Sequence, residues 1–285
     1  MTHHSRLNLI MLATIAGLVA FLYFRPQSDA IQKYPISATT VESVQSVRIL
    51  NKLQEIVLEQ SNDQWRMIEP IQARADEKKI GEVLEILKSS SHQRFALEDL
   101  ERFNLDRPYL QLYVGKEYFG FGGFSSTTNQ QYVVTNDFVY LISPRYALAM
   151  LLAVTDLINS ELLAPDEIPV RFEVDRWVVE FQNGSWRTIK HYSNDGFDDE
   201  MLTRWIQLWQ TARAEAVKLE GELDSGFVER GVIQISMQNG NIVKFNMLQN
   251  EYSIVLLRRA EGVGYQFPIE VGQQLIDPST IMLNQ

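Results

Sequence analysis

Hydrophobic and polar positions follow three different patterns along the chain. Residues 7–24, LNLIMLATIAGLVAFLYF, form an apolar run in which Asn8 is the only strongly polar side chain. A run of this length crosses most of a ~30 Å hydrocarbon core, so a transmembrane helix is expected. Residues 26–45 are polar, carry Pro26 and Pro35, and read as a tether. Beyond them the period changes to two: VRIL and EIVLEQ alternate as strands, followed by QWRMIEP. In ADEKKIGEVLEILKSS the period becomes helical, with Ile80, Val83, Leu84 and Leu87 on one stripe and Asp76 placed as its cap.

The same series then recurs. Residues 57–68, VLEQSNDQWRMI, and 178–189, VVEFQNGSWRTI, share six of twelve letters. Asp198 stands where Asp76 stood, and Leu202, Trp205, Ile206 and Trp209 repeat the stripe at an offset of 122. Each half is thus a strand hairpin feeding one amphipathic helix. Further strands follow, with turn signals at Gly115-Lys116, Asn136-Asp137 and Asn239-Gly240. Residues 145–159 are expected to close the first half as a helix, and PIEVGQQLI the second as a shorter one. The predicted fold is α+β: an anchor over residues 1–25, a linker over 26–45, and tandem, mostly antiparallel halves over 46–165 and 166–285, each with a covering helix.

Composition restricts the function. The net charge of -10 falls to -12 once residues 1–25 are set aside, because they carry two arginines and no acid. Such a body repels phosphate backbones, which argues against nucleic acid as a partner. The absence of cysteine removes disulfides, thiolate metal sites and cysteine nucleophiles. The short leader before the apolar run predicts a single-pass signal anchor in the cytoplasmic membrane, with the body outside the cytoplasm. A cleaved signal peptide would use the small residues Ser28, Asp29 and Ala30. The length of the run and the aromatic cluster Phe21, Tyr23 and Phe24 favour the uncleaved anchor.

Shared letters in the hairpins have structural readings. Val57/Val178, Trp65/Trp186 and Ile68/Ile189 are expected in the core, Asn62 and Asn183 in the turns, and Arg66 and Arg187 on a solvated face or beside Glu59 and Glu180. The hydrolase elbow, zinc-protease and P-loop motifs are all missing from the sequence. YFGFGGFSST, residues 118–127, has glycines but no lysine and no following helix, and is read as a bulged strand and loop. His92 and His191 have no partners at metal or triad spacing. The acidic residues in NDGFDDE are read as helix-capping groups. No cofactor, metal or catalytic residue is predicted.

Trp65-x4-Pro70, Ala75-Asp76, Asp99-Leu-x-x-Phe103-x-Leu105-Asp106-x-Pro108, Tyr132-Val-Val, Val139-Tyr140 and Thr155-Asp156-Leu157 together resemble the bacterial domain-of-unknown-function 4340 family. Residues 47–165 carry most of this resemblance, and Asn104 stands where the family has glycine. The resemblance implies a single-pass envelope protein with a β-rich body outside the cytoplasm, found with gliding-motility-type ABC transporter components and without established activity. The expected function is therefore a non-enzymatic, membrane-anchored accessory or protein-binding module in an ABC-type transport complex. The alternatives are an envelope glycan hydrolase and a small-molecule or lipid-binding carrier or sensor. Trp205 and Trp209 enlarge the second stripe, so they require either a wider groove or partial exposure as partner-binding anchors. A partner site is expected on their helix or at the boundary between the halves.

Overall fold

A computed structural model of the chain describes residues 3–24, 32–174, 177–191 and 197–284. The small residues 28–30 and residues 194–196 of the acidic stretch lie outside the described residues. Helix α1 (His3–Tyr23) comes first. Its described side chains begin at Met11, and Met11, Leu12, Ile15, Leu18, Val19 and Phe21 are all exposed. Among the described residues no helix is long and apolar enough to cross a membrane.

The first half contains β1 (Tyr34–Pro35), β2 (Ser46–Asn51), β3 (Glu55–Ser61), β4 (Gln64–Glu69), β5 (Ala73–Arg74), α2 (Glu77–Leu84), β6 (Ser90–Ser91), β7 (Arg94–Phe95), β8 (Leu110–Val114), β9 (Glu117–Phe124), β10 (Gln131–Val134), β11 (Val139–Ile142) and α3 (Arg145–Leu148). The second contains β12 (Pro169–Val174), β13 (Trp177–Gln182), β14 (Ser185–His191), α4 (Asp199–Thr211), β15 (Ala216–Leu219), β16 (Val228–Met237), β17 (Ile242–Gln249), β18 (Ser253–Arg258), β19 (Val263–Pro268) and α5 (Ile269–Ile276). All named strand pairs are antiparallel. The fold is thus α+β, with three sheets and few helices.

One sheet runs β5-β4-β3-β2-β8-β9-β10-β11-β7 and another β14-β13-β12-β16-β17-β18-β19-β15, while β1 and β6 form a small third sheet. Apart from β5, the two large sheets repeat one order strand for strand. The caps repeat as well: the Asp76 carboxylate accepts from the Lys79 N–H and the Asp198 carboxylate from the Met201 N–H. Trp65 and Trp186 are both buried.

The hairpins explain their shared letters. Asn62 and Asp63 have φ of 52° and 60°, and Asn183 and Gly184 of 54° and 84°, the left-handed pair that a two-residue turn needs to follow strand twist. Both hairpins also carry a bulge at one place. Val57 faces Glu69 and Leu58 faces Met67, which leaves Ile68 as the extra residue; Val178 faces Lys190 and Val179 faces Thr188, which leaves Ile189. A bulged residue departs from the inward alternation. This corrects the core assignment: Ile189 is exposed and Ile68 half-buried.

The helix expected over residues 145–159 is another correction. It stops at Leu148, and a separate 3-10 turn forms at Val154–Leu157. Two tertiary partners and one local cap take the backbone groups a longer helix would need. The Leu152 carbonyl accepts from Gln54 Nε2, the Ala153 N–H donates to the Asp156 carboxylate, and the Leu157 carbonyl accepts from the Asp76 N–H. The shorter second closing helix forms as α5.

A single buried apolar cluster runs through both halves, and a smaller one gathers Leu105, Val134 and Val139 with Phe103 and Tyr132 around them. The smaller cluster accounts for the glycine-rich strand. A Cβ on Gly122 would lie 2.5 Å from the Phe103 carbonyl oxygen, so β9 and the 99–108 segment can touch only with glycine there. Asn104 adopts φ 55°, the left-handed conformation asparagine tolerates best after glycine, and the turn survives without glycine.

Candidate functional site

The densest buried polar chemistry lies where the halves meet. The segment after α3 is stitched to both sides: the Asn159 N–H donates to the Arg74 carbonyl (2.9 Å), the Ala214 N–H to the Ser160 carbonyl (2.9 Å) and the Gln238 N–H to the Ile168 carbonyl (2.8 Å). Arg74, on the short edge strand β5, points into this seam and is 8% exposed. Its Nη2 donates to the Glu161 and Leu162 carbonyls and to the Tyr265 hydroxyl, the last at 3.2 Å. Its Nε and Nη1 are shielded from solvent with no acceptor among the described residues.

Beside it, Arg258 grips Glu167 through two bonds of 2.6 and 3.2 Å, and its Nε lies 3.3 Å from Glu261. Arg258, Glu167 and Glu261 thus form a half-buried ion-pair cluster, and the Arg74 charge acts on Glu167 from nearby. Burial pushes the Glu167 carboxyl up, but hydrogen bonds from Arg258 and the Ala164 N–H, with the Arg258 and Arg74 charges, outweigh it and hold the group below its ordinary range. Burial also raises the Tyr265 hydroxyl, against the lowering effect of Arg74. The side-chain contact in this group that ties the halves together is Arg74, whose Nη2 reaches both the Glu161 and Leu162 carbonyls and the Tyr265 hydroxyl.

A cavity of about 290 Å³ opens on this seam, lined by Glu161, Leu163, Ala164, Glu167, Ile168 and Gln210 among others. Its two carboxylates are already neutralised by Arg213 and Arg258. Among the described residues no group of three or more histidine, aspartate or glutamate side chains converges as metal ligands.

The two candidate anchors are elsewhere. Trp205 and Trp209 are both 0% exposed. Trp205 donates to the Gln274 and Leu275 carbonyls (3.0 and 3.1 Å) and Trp209 to the Leu275 carbonyl (2.9 Å). These are orphan acceptors in the last turn of α5, so the indoles cap the closing helix from inside the core. Phe172 and Phe245 pack around them, with Phe172 4.6 Å from Trp205 and Phe245 5.7 Å from Trp209. This corrects their assignment as partner anchors. A helical stripe in sequence gives no sign that the facing element is a helix end.

Other candidates resolve into scaffold. Glu180 pairs with Arg171 at 2.9 Å, not with Arg187. Asp199 accepts from the Trp186 N–H (3.0 Å) and Glu200 pairs with Arg204. His92 is exposed, and the His191 side chain lies outside the description.

The duplicated antiparallel sheets and their closing helices define an α+β protein built by repetition of one unit. The model of DUF4340, a domain of unknown function, matches residues 65–201 and supports membership of that family. The match runs from Trp65 through the seam to the start of α4, with the larger part of it in the first half, as expected. No curated protein and no solved structure matches the chain.

Proposed function

We propose that the chain is a non-enzymatic accessory protein, held by residues 7–24 in the cytoplasmic membrane, whose body outside the cytoplasm binds a protein partner in an ABC-type transport complex. What supports this reading is the sequence: residues 7–24 are an apolar run of 18 residues, long enough to cross most of a ~30 Å hydrocarbon core. The described apolar side chains of α1 are exposed and stand apart from the core cluster of the body. A helix of this kind in water would expose apolar surface along its length, which soluble monomers avoid.

The transport context comes from the family resemblance, and the seam between the halves is the surface we assign to the partner. Protease added to cells with an opened outer envelope should digest the body, and a protected body would reverse the orientation. Crosslinking at Gln210 or Ile168, followed by recovery from membranes, should capture a transporter component. Capture only from positions remote from the seam, such as Tyr252, would sink the assignment of this surface.

A further inference from the structure

A second cavity, also of about 290 Å³, lies where the chain enters the body, between residues 35–38, the start of β9 and the turn before β11. Glu117 follows the tight turn at Gly115 and begins β9 on the same face as Phe119, because strand side chains alternate with period two. A carboxylate is thereby placed at the margin of an apolar face. Its Oε1 accepts from the Thr39 hydroxyl at 2.7 Å. Its Oε2 is shielded from solvent and has no donor among the described residues.

The opposite wall is aromatic. Phe138 and Tyr140 meet edge to face with centroids 6.2 Å apart. Asp137, at an exposed position, lines the same cavity. The Arg94 guanidinium sits over the Tyr34 and Phe138 rings at 4.5 and 4.6 Å and is not among the residues lining the cavity.

We propose that this cavity binds an alkylammonium group, a primary or quaternary amine on a headgroup-sized molecule, against the Phe138 and Tyr140 rings with Glu117 and Asp137 as counter-charges. Aromatic faces attract cations, and two carboxylates repel an anion. A purely apolar guest would leave the shielded Glu117 oxygen unpaired, which is costly. The volume is at the small end of the ~300–1,000 Å³ typical of ligand sites, which suits a headgroup and excludes a large molecule. The amine has two possible sources, a free solute or a lipid headgroup. The lipid source rests on the anchor proposed above: Tyr34 follows Phe24 by ten residues, a reach of at most about 35 Å.

The test titrates choline chloride, ethanolamine hydrochloride and inorganic phosphate into the full chain in a non-ionic maltoside, read by saturation-transfer NMR and calorimetry. Saturable binding of an amine and none of phosphate is expected. Glu117→Gln should weaken it about tenfold or more with an unchanged melting curve. If that variant unfolds, Asp137→Asn, at an exposed position, must weaken binding instead. Displacement of choline by phosphatidylethanolamine in mixed micelles with the same maltoside, but not by phosphatidylglycerol presented in the same way, would identify the lipid source; no displacement would identify a free amine. Absence of saturable amine binding, preference for phosphate, or undiminished binding by a folded Glu117→Gln variant would overturn the proposal. Because binding is read in detergent, such a failure leaves the membrane anchor untouched.

Discussion

Replacing Gly122 by alanine separates a packing role for the glycine-rich strand from a ligand-cradling one. The backbone at Gly122 does not occupy the left-handed region, so alanine meets no conformational barrier there. On that account the substitution should stabilise the protein by ~0.4–1 kcal/mol through the unfolded chain. Its Cβ, however, would stand 2.5 Å from the Phe103 carbonyl oxygen and 2.7 and 2.8 Å from Leu105 side-chain carbons. The obstructing oxygen belongs to backbone and cannot rotate away. Overpacking of this kind costs ~1–3 kcal/mol, so a net loss of about 1–2 kcal/mol remains. Gly123 supplies the internal control, because its nearest obstacle is the Asn104 amide nitrogen at 3.0 Å, the end of a flexible side chain. Urea unfolding of the purified variants, followed by circular dichroism, should place the Gly122→Ala midpoint roughly 0.5 M below the native one. Gly123→Ala should unfold within about 0.2 M of the native protein. Equal midpoints for the two variants would refute the packing argument.

Trp209→Ala empties a fully buried indole site beside Phe172, Trp205 and Phe245 and should cost ~3–5 kcal/mol, seen as a large drop in thermal midpoint; a folded variant of native stability would restore the residue as a surface anchor. Glu167 titrates below its ordinary value of about 4.5 when folded. Its contribution is therefore complete above that pH and lost as pH falls through the lower folded value. Glu167→Gln should lower stability at neutral pH and flatten the acid limb of the stability curve; an unchanged acid limb would show that the carboxylate is not linked to folding.

Local patterns in the sequence carry most of the repeat unit. Alternation, a turn asparagine, a capping aspartate and a four-residue apolar stripe each act within one element, and together they recover both hairpins and both covering helices. What escaped is decided by partners far along the chain. Ile68 and Ile189 look like core letters, yet a bulge in the facing register turns Ile189 outward. Residues 145–159 look helical, yet Gln54 and Asp76 bond to carbonyls in that stretch. The two indoles look like an excess of aromatic surface until the end of α5 supplies the carbonyls they cap.

The seam was the least legible part, for a reason that bears on function. Arg74, Glu167 and the stretch holding Arg258, Glu261 and Tyr265 are three separated parts of the chain, and the Arg74–Tyr265 bond spans 191 positions, so no spacing rule can collect them. Internal repetition hides two of them further, because Arg74 and Glu167 belong to what the halves do not share. Arg74 sits on β5, a strand without a counterpart in the second sheet among the described residues. Glu167 belongs to the connecting segment, which occurs once. A duplicated fold keeps its common letters for packing that both copies need; a surface with one partner has to be built from the residues that break the symmetry. The expectation of a partner site at the boundary between the halves came from the two indoles; with these buried, we propose the once-only residues Arg74 and Glu167 of the seam in their place.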